Sequence, residues 1–311
     1  MATLVSASPE VIRDLRQKLI AADTPLAAKY RALYSLRGVE GLEAHLGLVD
    51  ALKDESALFR HDVAFCLGQR QDAAAICELT RVLHDVTEHC MVRHEAGEAL
   101  GAIGSKACME PLRLHQTDDM LEVAETCQLA LQRIEYLVAH PDASNEESPY
   151  YSVDPTPALP ASTPLAELRA AVLDESKRMF DRYSALFALR NKGGKEAVAI
   201  LGEVFGARSA LLKHETAYVL GQMQDAEAVA VLMRVLKDAD EHAMVRHEAA
   251  EALGAIADSK TIVFLKGFSS DPEPIVADSC VVALDMLEFE RSGMFQYADM
   301  ATGSAQMVEV A

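Results

Sequence analysis

Four of the places where this chain sets a histidine directly before a carboxylate recur at equivalent positions: His61-Asp62, His94-Glu95, His214-Glu215 and His247-Glu248. Imidazole nitrogen and carboxylate oxygen suit Fe(II), Mn or Zn, whereas thiolate-selected metals need cysteine. One such pair is a weak signal, because most are surface or capping residues. Here the spacing repeats: 33 residues separate His61 from His94, and again His214 from His247. Helices packed about 8–10 Å apart would let two imidazoles reach one ion between them. An adjacent carboxylate completes a set of two histidines and one carboxylate with open coordination positions. Each half can build one set, and two facing halves would bring two ions together, a catalytic arrangement known with metals about 3.5–4 Å apart. Duplication copies any surface pair, so the four motifs amount to two independent coincidences. A metal-free protein-binding array, with these histidines facing solvent, therefore stays open. So does a hydrolytic enzyme using Zn or Mn.

The elements that must position these residues come from an internal duplication. Residues 59–104 and 212–257 align without a gap at an offset of 153, with 28 of 46 positions identical. That level makes the halves copies of one another. The shared skeleton includes LGQ at 67–69 and 220–222, and MVRHEA at 91–96 and 244–249. A period near 30 inside each half, with helical patterning throughout, predicts a helix-turn-helix solenoid. In RHEAGEALGAI, Ala96, Ala99, Leu100 and Ile103 form one apolar stripe. Gly101, Gly104 and the short alanines permit close helix contact. The fold class is all-α, a HEAT-repeat α-solenoid (superhelix) of about eight helical hairpins in two duplicated halves. The repeats fall near 25–38, 42–70, 74–104 and 107–137, and near 178–191, 195–223, 227–257 and 260–290. Asp54 and Asp85 precede inner helices, where carboxylates favour helix starts.

The expected organisation is an N-terminal half over 1–139, an acidic Pro/Ser-rich linker over 140–164, a C-terminal half over 165–290 and a mobile tail over 291–311. The linker reads HPDASNEESPYYSVDPTPALPASTP, which predicts an irregular surface segment. The net charge of -19 argues against direct contact with nucleic acid and favours a basic protein or cationic side chain. Six cysteines without a C-x-x-C pair read as small buried hydrophobes in a reducing compartment, the cytoplasm with the nucleus as a further location. No apolar run reaches the length of a membrane span, and a monomer is expected. His89 and His242 recur five residues before a motif histidine and read as caps or loop residues. Glu98 and Glu251 follow His94 and His247 by four residues; each could orient an imidazole or form an ordinary surface pair. Arg93 and Arg246 are expected to pair with local carboxylates.

The segments HETAYVLGQMQD (214–225) and EHAMVRHEAAEALGAI (241–256), with their first-half copies, resemble deoxyhypusine hydroxylases over roughly residues 25–290. That family consists of HEAT-repeat di-iron monooxygenases. The resemblance implies O2-dependent hydroxylation of deoxyhypusine on translation initiation factor five-A, giving hypusine. It implies two Fe, cycling between Fe(II) and Fe(III), held by His61, His94, Glu95, His214, His247 and Glu248, with O2 as co-substrate and an external reductant. Asp62 and Glu215 match the family's remaining acidic positions, described as ligands or as groups that hold the substrate amine. The family pattern has Glu where this chain has Asp62. The shorter side chain suits a substrate-facing role better than iron ligation. A HEAT-like tetrapyrrole lyase shares the scaffold but does not require the four motifs.

Overall fold

The computed structural model describes residues 4–141, 150 and 152–292. Linker positions 142–149 and 151, and the expected mobile tail beyond 292, lie outside the described residues.

Sixteen α-helices among the described residues form eight hairpins. The first half holds α1 (Pro9–Ile20), α2 (Leu26–Arg37), α3 (Leu42–Ala51), α4 (Ala57–Gln69), α5 (Ile76–His84), α6 (Cys90–Ile103), α7 (Met109–His115) and α8 (Leu121–Ala139). The second holds α9 (Leu165–Leu173), α10 (Met179–Lys192), α11 (Gly194–Val204), α12 (Ala210–Met223), α13 (Val229–Lys237), α14 (Ala243–Ile256), α15 (Thr261–Phe268) and α16 (Pro274–Ser292). Odd-numbered helices lie outside and even-numbered helices inside. Each inner helix packs on the next within its half, α8 meets α10 and α12, and α16 meets α2 and α4. The inner layer is therefore a closed ring, with two seams where the halves meet. Arg31 to Asp285 at 2.5 Å and Ser56 to Asp278 at 2.8 Å fasten one seam. Ser209 to Glu125 at 2.6 Å fastens the other.

The first repeat of each half is a full hairpin, longer than its sequence signal. The added outer helices, α1 and α9, bury only Leu15 and Leu19, and Leu168 and Val172. So short an apolar stripe gives little periodicity to read. The expected helix starts also shift. Ser56 and His89 cap α4 and α6, while Asp54 and Asp85 accept from the backbone N–H two residues on. They hold the turn rather than the helix end.

Inner helices touch through glycine and alanine. A Cβ on Gly254 would lie 2.7 Å from Ala283 Cα and 2.8 Å from its carbonyl oxygen. Gly101 meets Ala130 in the same way, whereas Gly104 ends α6 at φ +71°. Buried arginines staple outer to inner helices. Arg93 donates to Leu83 O and to Asp118, and Arg246 to Leu236 O and Asp271. Burial works against ionisation of Asp118 and Asp271. Their hydrogen bonds from Arg93 and Arg246 more than offset it, holding both carboxyls below the usual carboxylate range.

Two outcomes follow for stability. Gly254→Ala is expected to cost about 1–3 kcal/mol through overpacking against backbone, measured by urea unfolding. The two staples contribute fully above the ordinary aspartate pKa of about 3.9, and that contribution is lost as pH falls through their lower folded values. Asp118→Asn with Asp271→Asn should flatten the fall of unfolding free energy below about pH 4; an unchanged acid limb would contradict the assignment.

Candidate metal centre

Each motif histidine lies five residues after the cap of its helix. Ser56 and Ser209 cap α4 and α12 with their hydroxyls, and His89 and His242 cap α6 and α14 with ring Nδ1. Equal depth on four neighbouring inner helices sends all four imidazoles to the centre of the ring. Their centroids lie 5.4 Å apart for His61–His94, 5.3 Å for His214–His247, 5.4 Å for His61–His247 and 5.5 Å for His94–His214. Rings within a half are tilted by 35–36°, and the adjacent rings across the halves by 79–81°. All four are buried, as are Asp62, Glu95, Glu215 and Glu248. None faces solvent independently, as a bare scaffold would require.

The sequence predicted one ligand set per half. The structure brings the two sets side by side. His61, His94 and Glu95 form one group with ligand atoms within 4.8 Å of one another, and His61, His214 and His247 form a second. His61 belongs to both. Glu95 Oε2 is 3.3 Å from His61 Nε2, and Glu248 Oε2 is 3.4 Å from His214 Nε2. Asp62 contacts His61 Nδ1 at 3.1 Å. The far nitrogens are held as well: Thr126 lies 3.4 Å from His94 Nδ1, and Ser279 3.4 Å from His247 Nδ1.

The residues fit a metal. Nε2 of all four histidines is buried without a hydrogen-bond partner, and a buried polar atom left so costs stability unless something else satisfies it. Burial pushes His94 and His247 below their ordinary value, and the neighbouring imidazoles add to it. Neutral rings offer lone pairs. Burial also opposes charge on His61, but the neighbouring carboxylates of Asp62 and Glu95 more than offset that and raise it. A positive charge is favoured where those carboxylates converge.

An open cavity of about 260 Å³ reaches the cluster at His61 and His214. Six carboxylates line it: Asp62, Glu95, Glu98, Glu215, Glu248 and Glu251. Burial, reinforced by nearby carboxylates, raises Glu215 and Glu251 well above their usual range and pushes Glu98 up to about 8. The sequence left Glu98 and Glu251 between two readings. Both border the cavity, and Glu251 accepts from Ser279 at 2.9 Å beside His247 Nδ1. Phe65, Tyr218 and Tyr34 were not singled out. Phe65 and Tyr218 fall at equal places in the two copies, the one signal available for them. The remaining histidines sit elsewhere: His45 near Asp72, His84 on His115, and His140 on Tyr136.

Fold and site define a HEAT-repeat protein built around a buried histidine–carboxylate centre, and a family model for HEAT repeats matches residues 46–132 and 198–285. The chain is 51% identical to deoxyhypusine hydroxylase of Gallus gallus over 93% of this chain and 96% of that protein. It is 50% identical to the Homo sapiens protein over 91% and 93%, and 50% identical to the Arabidopsis thaliana protein over 93% and 94%. The solved structure of human deoxyhypusine hydroxylase in complex with glycerol superposes with a TM-score of 0.87 at 48% identity, covering 90% of this chain and 96% of that one. The chain belongs to the deoxyhypusine hydroxylase family, a family of monooxygenases.

Since His61 joins both groups, His61→Ala is expected to remove more bound Co(II), used as a spectroscopic probe, than His247→Ala does. Equal losses in a metal titration would mean that the two groups are independent.

Proposed function

We propose that this chain hydroxylates the deoxyhypusine side chain of translation initiation factor five-A to hypusine, as an O2-dependent monooxygenase with two irons between the halves 1–139 and 165–290. The observation that carries this reading is four buried imidazoles whose Nε2 atoms lack partners in an acidic cavity, in a chain half identical to deoxyhypusine hydroxylases. His61, His94 and Glu95 would hold one iron, and His214, His247 and Glu248 the other, with His61 within reach of both. Iron, when bound, would supply redox chemistry with O2 that no side chain carries, with electrons from an external reductant.

The chain's own residues bind, orient and exclude water. Asp62 steadies His61 from the Nδ1 side, while its Oδ2 is buried with no partner. An ammonium at the end of an aliphatic arm can donate to that oxygen. Glu215 is its counterpart in the second half. Phe65 and Tyr218, edge to face at 6.1 Å, offer the arm an apolar wall. Burial, with the carboxylate of Glu95 nearby, favours the protonated form of Glu98, which can donate a hydrogen bond.

The net charge of -19 supports a basic partner rather than nucleic acid, and we treat the chain as a monomer. Among the described residues no helix is long and apolar enough to cross a membrane. All six cysteines are free thiols, four of them buried, which supports a reducing compartment, the cytoplasm or nucleus. The tetrapyrrole lyase, the hydrolase and the metal-free scaffold share parts of this frame, but family membership favours none of them.

The test combines metal analysis with turnover. Iron-loaded protein should add one oxygen atom to the deoxyhypusine form of the factor in air and none under anaerobic conditions. Protein that takes up no iron, or turns over without O2, would sink the reading. Asp62→Ala removes an acceptor for a buried ammonium. It is expected to lower kcat/KM by about 2 kcal/mol or more, roughly thirtyfold, with iron content unchanged. A parallel loss of iron would tie Asp62 to the metal site instead, as a ligand or through its hold on His61.

A further inference from the structure

The duplication gives the cavity two equivalent ends, and they differ. One end lies against α6 and α8, where Glu98, Ala102 and Arg133 line it. At the other end, against α14 and α16, the equivalent positions are Glu251, Ala255 and Met286. The sequence predicted that the linker runs over the surface. Instead, Val153 and Pro155 form a wall at the first end, a separate pocket of about 10 Å³ that shares Glu98 with the cavity of about 260 Å³. Ala102 is 6% exposed beneath this wall, while Ala255 is half-buried.

Residues 152–156 are fastened at several points. Val153 N–H donates to Gln69 Oε1 at 2.8 Å, and Gln69 Nε2 donates back to Val153 O at 3.4 Å. Arg133 Nε donates to Asp154 O at 3.1 Å. Arg190 donates to both Asp154 carboxylate oxygens, at 3.0 and 2.5 Å. That guanidinium is fully buried and lies against the rings of Tyr150 at 4.6 Å and Phe187 at 4.7 Å. Pro155 and Thr156 are buried.

We propose that residues 152–156 form a built-in plug that closes one of two equivalent approaches to the histidine cluster, so that the substrate side chain enters only at the other, past Tyr34, Glu251, Ala255 and Met286. The proposal rests on the hydroxylase reading only in naming a cationic side chain as the visitor. Charge favours the same route. The plugged end carries the guanidinium of Arg133 where the open end carries Met286. The counterpart of Arg190, Arg37, stacks over Tyr34 at 5.5 Å, so the difference in charge comes from Arg133 rather than from that pair. Past the open end lie Glu251 and the unpartnered Oδ2 of Asp62. A cation is drawn in on one side and repelled on the other. With a single access, a side chain presented by a large protein meets the cluster in one orientation only.

Cysteines placed at the two equivalent alanines test this in the full chain. Ala102→Cys and Ala255→Cys proteins are treated with 2-aminoethyl methanethiosulfonate, and peptide mass spectrometry separates each new thiol from the six native ones. Position 255 should react roughly tenfold or more faster than position 102. Adding Asp154→Ala, or the milder Gln69→Ala, which leaves both arginines intact, should speed labelling at 102 and leave 255 unchanged. Equal rates in the two parent proteins would overturn the proposal. So would plug variants that keep their melting temperature yet fail to expose position 102. Deoxyhypusine-bearing factor should slow labelling at 255 alone. If it protects neither position while the rates still differ, the functional reading fails and the plug stands.

Discussion

Carboxylates brought together away from water repel one another and lose hydration, and the cost grows steeply unless positive charge shares the space. The centre of this chain takes that cost with six acidic side chains around four imidazoles. Hydrogen bonds within the protein satisfy only part of it. Hydroxyls of Thr126 and Ser279 and one oxygen of Asp62 hold outer ring nitrogens, and the inner nitrogens stay without partners. In the proposed function metal ions would answer the inner nitrogens, and an arriving ammonium what remains. The close Gly–Ala contacts, the arginine staples and the seams between halves serve to hold repelling groups at short range.

Much of this was legible because the duplication writes spatial equivalence into sequence position. The offset of 153 marks the paired motifs, and equal distance from a cap puts each histidine at equal depth. The arginine staples were legible as well, being local. Closure of the ring was not. Its seams join residues 254 and 222 positions apart through single polar contacts, which leave no pattern in either segment. The meeting of the two sets at His61 is hidden for the same reason, since it depends on the seam. Glu98 and Glu251 could not be decided, because an i,i+4 carboxylate looks alike on a solvated face and beside a cavity.

The linker shows where composition misleads. Prolines and acidic residues do signal irregular backbone, and residues 152–156 carry no helix. Irregular backbone can still be buried when its polar groups are met. Gln69, Arg133 and Arg190 supply those partners from three helices. Two copies of one half would make a symmetric centre, and the segment that joins them removes the symmetry.

An open solenoid can gain or lose a hairpin at its end and keep every other contact. In this chain α16 returns to α2, and α8 to α10, so neither end is free. One hairpin more would force a seam apart, and one fewer would leave it unable to meet. Repeat number, which drifts readily in open arrays of this kind, is locked here by the circumference.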